Sequence, residues 1–316
     1  MFKYDVLCVG SATVDNFLTI NIALKSINPG DKVLVQTKEM HSGGGATNSA
    51  ATLSKLGLKV KMLTKVGDDH EAEYISKEMK QYGVKNISLH YSKKPTDSAT
   101  IISSPVEKDR VIYVQKGASR DLKSTDYHKR DMNCRWIYLA SLVGKSFTTA
   151  KELAEIHHKK NILFNPSLYL AKKGKIYLKK VLEATTVLVL NKEEAQVLFG
   201  KKTNSWKVLL EGLHSLGPDT VVVTNGHSTF YALHEDKMFK IIPPNVPRIH
   251  TAGAGDCFAA SLMAGMIHKL DFKEVLSMAQ ANASSLIQQI GTKKGLCSMT
   301  EVKKLMKKYK TKVTSN

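Results

Sequence analysis

Short apolar runs with strand character alternate with helix-patterned segments through most of the chain, and this alternation limits the fold more than any other feature. Asp5 to Val9, Val60 to Val66, Trp136 to Ala140, Asn161 to Phe164, Thr186 to Leu190 and Thr220 to Thr224 read as strands. Thr47 to Leu56, Glu71 to Tyr82, Thr148 to His158 and Glu193 to Phe199 carry helical spacing between or beside them. Strands joined through helices pair in parallel, so the pattern predicts a mainly parallel sheet covered by helices on both faces. A length of 316 residues suffices for one large domain of this kind.

Two stretches break the rhythm. Phe17 to Glu39 and Ser98 to Val114 carry alternating, β-branched patterns with turn residues and no helix, which predicts a small antiparallel sheet outside the main one. The stretch from Glu301 to Lys312 reads as a basic helix or a frayed tail.

The charge balance of 47 Lys and Arg against 28 Asp and Glu gives a net +19. That invites a nucleic-acid partner, but only five of the cations are arginine and the lysines are spread along the whole chain. Readers of phosphates and bases favour arginine's forked donors, so the expectation is a lysine-rich surface that attracts small anions such as nucleotides, with no nucleic-acid partner. Cys8, Cys134, Cys257 and Cys297 show no C-x-x-C spacing, which predicts reduced thiols and no zinc site. No apolar run approaches the roughly 20 residues that span a bilayer, and Met1 to Cys8 alternates instead of forming a signal-like segment. A cytoplasmic protein with no membrane partner is expected.

The chemistry concentrates at glycines. Thr251-Ala252-Gly253-Ala254-Gly255-Asp256 precedes the helix-patterned Cys257 to Lys269. Small residues let backbone approach a ligand, and the start of a helix presents free amides and a positive dipole end to an anion. A carboxylate there repels phosphate unless it takes a proton in the reaction; taken alone, Asp256 equally suits a helix cap. Gly43-Gly44-Gly45-Ala46-Thr47-Asn48 also leads into a helix, and Asn48 offers a donor and acceptors to a polyol or ribose. Neither G-x-G-x-x-G after the first strand nor G-x-x-x-x-G-K-[ST] anywhere is present, which disfavours hydride transfer and a Walker-type ATPase. Asn191 and Glu194 follow a strand, where open α/β sheets bind ligands, and three-residue spacing would place them on one helical face, suited to a hydrated Mg²⁺. Thr224 and Gly226 follow another strand, and Asp15 stands just beyond the first. Singly, each of these equally suits a cap, a turn or a surface acid.

In their order, Asp15, G-G-G-A-T-N, Gly67-Asp68-Asp69, N-x-x-E, T-x-G and T-A-G-A-G-D, the motifs make the chain from Val6 to Gly295 resemble the ribokinase family of carbohydrate and nucleoside kinases, the PfkB superfamily. The resemblance implies a doubly wound α/β domain over residues 1–316, its mainly parallel sheet flanked by helices, with a small β-sheet lid formed by about 16–39 and 97–116. It implies Asp256 as catalytic base and the loop 253–255 as anion hole, through the backbone of Ala254 and Gly255 beside Gly253. Asp15, Gly43, Gly44 and Asn48 would hold the acceptor's hydroxyls, and Ser141 takes the neighbourhood where ribokinases set a Glu against the sugar. Asn191 and Glu194 would position Mg²⁺ and the triphosphate, Thr224 and Gly226 would line the nucleotide, and Gln280 would stand beside the nucleoside.

The implied activity is ATP-dependent transfer of the γ-phosphoryl group to a sugar hydroxyl. A nucleoside acceptor or a catalytically silent binder on the same fold are the alternatives. Members of the family often pair through their lids, so a homodimer is implied as well. Departures from the family pattern are Ala72 and Thr229, each in place of a usual glycine, and two at the family's monovalent-cation site. There His250 replaces an Asp and Gly295 a hydroxyl, which predicts an activity indifferent to K⁺. His250 either supplies a positive charge of its own or has no role.

Overall fold

The apolar runs become strands of one sheet because both of their faces are covered. Val6, Leu7, Cys8 and Val9 of β1 (Tyr4–Val9) are all buried, and β4 (Val60–Gly67) is buried at every residue. The computed structural model describes residues 2–107, 109–128, 132–156 and 161–316. Lys108, within the range expected for the small sheet, and the last two residues of the helix expected over Thr148 to His158 lie outside the described residues.

The remaining strands of this sheet are β5 (Asn86–Ser92), β8 (Cys134–Ala140), β9 (Ile162–Asn165), β10 (Val187–Asn191), β11 (Thr220–Thr224), β12 (Phe230–His234), β13 (Lys237–Ile242) and β14 (Lys312–Ser315). Their order is β14-β13-β12-β11-β10-β9-β8-β1-β4-β5. From β5 through β11 every pair is parallel, and β12, β13 and β14 close that edge antiparallel. The edge hairpin and β14 are additions to the expected sheet, and β14 changes the reading of the C-terminal stretch. Helix α10 (Met299–Tyr309) begins at a Ser298–Glu301 capping box and ends at Lys310 with φ 47°, and the chain then enters the sheet instead of fraying.

Helices α1 (Gly45–Lys55), α2 (His70–Gln81), α8 (Ala254–Ile267), α9 (Phe272–Leu286) and α10 pack on one face, and α3 (Ser146–Ile156), α4 (Leu168–Ala171), α5 (Gly174–Ala184), α6 (Lys192–Phe199) and α7 (Trp206–His214) on the other. The chain leaves β1 for β4 on one side and later returns to β8 on the other, so the sheet reverses direction between β1 and β8. Open α/β sheets bind ligands outside the carboxyl ends of their strands at such a reversal. Gly10, at the end of β1, fits there because a Cβ would stand 2.7 Å from Ala140 Cβ.

The rhythm-breaking stretches form a separate sheet of β2 (Thr13–Ile20), β3 (Val35–Gly43), β6 (Asp97–Ser104) and β7 (Asp109–Gln115), in the order β3-β2-β6-β7. It is mixed, not antiparallel as the pattern predicts. Both outer pairs are antiparallel, but β2 and β6 come from distant parts of the chain and run parallel. Asp15 therefore lies within β2, opposite His41 of β3.

Candidate active site

Helix α8 starts at the turn Gly253, whose φ of 77° favours glycine, and no side chain caps it. Its body is apolar on every side, with Phe258, Leu262 and Met263 buried, which fixes its axis. The uncapped start thus presents amides and dipole to whatever lies beyond. The Ala254 amide turns back to Thr251 O at 3.3 Å. A Cβ at Gly255 would meet nothing within 4 Å, so the surface there is open.

Asp256, in the first turn of α8, keeps one side toward a cavity and is crowded by protein elsewhere. Asn48 of α1 donates from Nδ2 to its Oδ2 at 2.8 Å, and the buried Tyr138 hydroxyl lies between Asp256 and Asn165 Oδ1, 3.1 Å from the latter. Burial raises the pKa of Asp256, and the Asn48 hydrogen bond, the Lys293 charge and the Tyr138 hydrogen bond offset this only in part. Asn48 Oδ1 is buried with no hydrogen-bond partner among the described residues, an acceptor left for a hydroxyl donor.

That cavity, of about 340 Å³, is lined by Ser11, Ser119, Ser141, Asn165, Ser167 and Lys116 among others. Ser141 and Ser167 share a hydrogen bond of 2.7 Å. Asp15, Gly43, Gly44 and Asn48 stand behind this wall and do not line it. Their packing explains the glycines: a Cβ on Gly43 would collide with Asp15 Oδ2, and Gly44, with φ 94°, lies against Ser11 O. Burial also raises the pKa of Asp15, against a Thr13 hydrogen bond and the charges of Lys293, Lys116 and His41.

A second cavity, of about 610 Å³, is lined by Gly226, Phe230, Pro243, Val246, Phe258 and Gln280 among others. Gln280 donates from Nε2 to Ser284 Oγ at 2.9 Å. The two cavities share Asn191, Thr224 and Gly255, so they meet at the open start of α8.

The Asn191–Glu194 pair is a reciprocal capping box, not two residues on one helical face. Asn191 Oδ1 accepts from the Glu194 amide and Glu194 Oε2 from the Asn191 amide, each at 2.9 Å. Both residues still line the first cavity. Burial raises the pKa of Glu194, the Asn191 backbone hydrogen bond lowers it, and Asp256 raises it further. Among the described residues no three His, Cys, Asp or Glu side chains form an all-protein metal cage. A carboxylate at a cavity edge instead fits Mg²⁺ held largely through waters and phosphate oxygens.

Burial lowers the pKa of His250, Gly291 O opposes this, and Arg110 and His41 lower it further, which disfavours the charged ring. Lys293, 2% exposed, is the most deeply buried lysine among the described residues, where a reading of composition places lysines on the surface. Asn165 and Ser167 obey the same strand-end rule as Asn191, since Asn165 ends the apolar β9 and Pro166-Ser167 follow it. Lys116 and Ser119 have no comparable signal, because the loop after β7 brings them in.

A sequence profile of the pfkB family carbohydrate kinases matches residues 3–298. A 5-dehydro-2-deoxygluconokinase of Bacillus licheniformis is 23% identical over 319 aligned residues, covering 96% of each chain. Among solved structures, Arabidopsis thaliana ribokinase complexed with ribose and ATP superposes with a TM-score of 0.82 at 21% identity, covering 96% of this chain and 99% of that one. A Methanocaldococcus jannaschii nucleoside kinase of the ribokinase family gives 0.79 at 22%, covering 97% and 99%. Sugar and nucleoside kinases thus share this fold, and the profile match, spanning nearly the whole chain, makes this protein a member of the pfkB family of carbohydrate kinases.

Proposed function

We propose that the protein transfers the γ-phosphoryl group of ATP to a hydroxyl of a sugar, with Asp256 as base and the 253–255 loop as anion hole. The observation that carries this reading is the meeting of the two cavities at Gly255, Asn191 and Thr224, with Asp256 on the side of the hydroxyl-rich one.

The acceptor alcohol donates its proton to the Asp256 carboxylate as its oxygen bonds to the γ-phosphorus. The bond from that phosphorus to the bridging oxygen breaks, and ADP leaves with the electron pair. Asn48 Nδ2 fixes the carboxylate from behind the cavity wall. The start of α8 stabilises charge growing on the transferred group in a desolvated setting, where fixed dipoles act most strongly. Thr224, Gly226 and Gln280 line the donor side, and Glu194 would help hold a Mg²⁺, which would offset phosphate charge.

Serine hydroxyls, an amide and one ammonium on the acceptor wall favour a polyol over a flat base, and Tyr169, the ring on that wall, is 70% exposed. The small sheet acts as a lid on this side, and pairing of two copies through it would cover exposed Ile112, Tyr113 and Val114 of β7. Light scattering that reads a monomer excludes this pairing.

An ADP-release assay over hexoses, pentoses, phosphosugars and nucleosides, with Asp256→Asn as control, tests the activity. Release dependent on a sugar and lost in the variant is expected. Preference for a nucleoside overturns the acceptor class, and binding without release from any acceptor overturns the kinase reading.

A further inference from the structure

Ser42, directly before the Gly43–Gly44 turn, has all three of its polar groups held by buried side chains from other elements. Its amide donates to Glu78 Oε2 of α2 at 3.0 Å, and its hydroxyl donates to the same oxygen. Its carbonyl accepts from Thr292 Oγ1 at 2.9 Å and from Lys293 Nζ. Lys293 Nζ also donates to Thr292 Oγ1 at 3.0 Å and lies 3.9 Å from Glu78 Oε2.

The loop that carries Lys293 touches the second glycine turn as well. A Cβ at Gly253 would stand 3.0 Å from Thr292 Cβ and 3.4 Å from Asn48 Nδ2. A buried ammonium is costly without partners, so a lysine in this place needs a reason that surface lysines do not. Carboxylates face it from three elements, Glu78 of α2, Asp15 of β2 and Asp256 of α8, and His41 of β3 lies 4.0 Å from Glu78 Oε1.

Resting on the kinase reading, we propose that Lys293 is a positioning residue, the fixed internal cation of this site, which ties the acceptor turn at Ser42 to the loop behind the anion cradle and offsets the charge of Asp15 and Asp256. Burial lowers its pKa to about 8, against the attraction of Glu78, Asp15 and Asp256, so the ammonium persists at neutral pH. Above that value the charge is lost and turnover falls.

The test compares wild type with Lys293→Met, a neutral side chain of similar length. Turnover is expected to fall about 10-fold or more, as misplaced reacting groups do, with the nucleotide KM within about 3-fold. The acid limb of the turnover–pH profile should move up in the variant, because the cation that lowers the Asp256 pKa is gone; lost packing alone lowers turnover without moving it. A second readout needs no catalysis. The folded pKa lies below the unfolded value, so between about 8 and 10.5 the unfolded chain binds more protons, and wild-type stability should rise with pH relative to the variant. A flat stability difference, or an unmoved acid limb, overturns the proposal. Should Lys293→Met not fold, Glu78→Gln replaces it. Losing that attraction should shift the wild-type alkaline limb to lower pH, and an unshifted limb overturns the inference. If no acceptor yields ADP, the kinase reading fails while the stability difference still reads Lys293.

Discussion

The two cavities that meet at Gly255 are built from opposite materials. Around the acceptor side stand fixed, largely desolvated charges: Asp256 and Glu194 at the wall, Asp15 and Lys293 behind it. The donor side is walled mostly by shape, with Phe230, Phe258, Pro243, Pro244, Val246 and Ile287. Charges held by one or two hydrogen bonds concentrate energy in single atoms, whereas dispersion spreads it over many contacts. Substitutions on the acceptor side should therefore act on the chemical step, and those on the donor side weakly, on nucleotide affinity.

Asp256→Asn sharpens this contrast most. A positioned base contributes about 10² to 10⁴ in rate, so turnover should fall at least about 10²-fold with nucleotide affinity within a few fold. Since burial raises the pKa of Asp256, wild-type turnover should be lost, as pH falls, at a higher pH than an ordinary carboxylate would give. Asn48→Ala comes next: a hydrogen bond to a charged group contributes about 1.5–3 kcal/mol, so acceptor kcat/KM should drop by about 10- to 100-fold in steady-state assays. Glu194→Gln should raise the Mg²⁺ concentration for half-maximal rate by about 3- to 10-fold, because an amide holds the metal's waters less strongly. Gln280→Ala should raise the nucleotide KM by only about 2- to 3-fold, one neutral hydrogen bond's share. If it costs as much as Asn48→Ala, the contrast between the cavities collapses. The smallest effect is an exchange of K⁺ for Na⁺ or tetramethylammonium at fixed ionic strength, which should leave the rate nearly unchanged. Several-fold activation by K⁺ would mean that backbone carbonyls near Gly291 bind a cation despite His250 and Gly295.

These side chains differ in how far the sequence reveals them. The two glycine turns are legible because only glycine fits there: a Cβ on Gly43 would strike the Asp15 side chain, one on Gly44 the Ser11 backbone, and Gly253 has φ 77°. The parallel sheet is legible for the same kind of reason, as runs such as Val221-Val222-Val223 are buried on both faces. Lys293 is not legible. It sits beside another lysine, Lys294, whose Nζ pairs with Glu39 at 2.6 Å on the surface, and nothing local separates the two. The N-x-x-E spacing has two physical meanings, and the cap is the one that backbone geometry imposes. β14 is hidden because its pairing depends on where β13 lies, a long-range fact, and the parallel β2–β6 pairing is hidden likewise.

The acceptor wall is assembled from pieces carried by different strand ends, with Ser141 and Ser167 joined by a hydrogen bond. Ser11 comes after β1, Lys116 and Ser119 after β7, Ser141 after β8, Asn165 and Ser167 around the end of β9, and Asn191 at the end of β10. Asp256, the proposed base, stands on an apolar helix and is linked to them through Tyr138 and Asn165. A lineage could exchange one loop and alter which hydroxyl pattern is welcome without disturbing the base or the strands beneath. Such a modular rim lets selection explore new acceptors one wall at a time, and it tells an engineer to diversify residues 116–119, 141–143 and 167–169 first, leaving Asn165 and both glycine turns untouched.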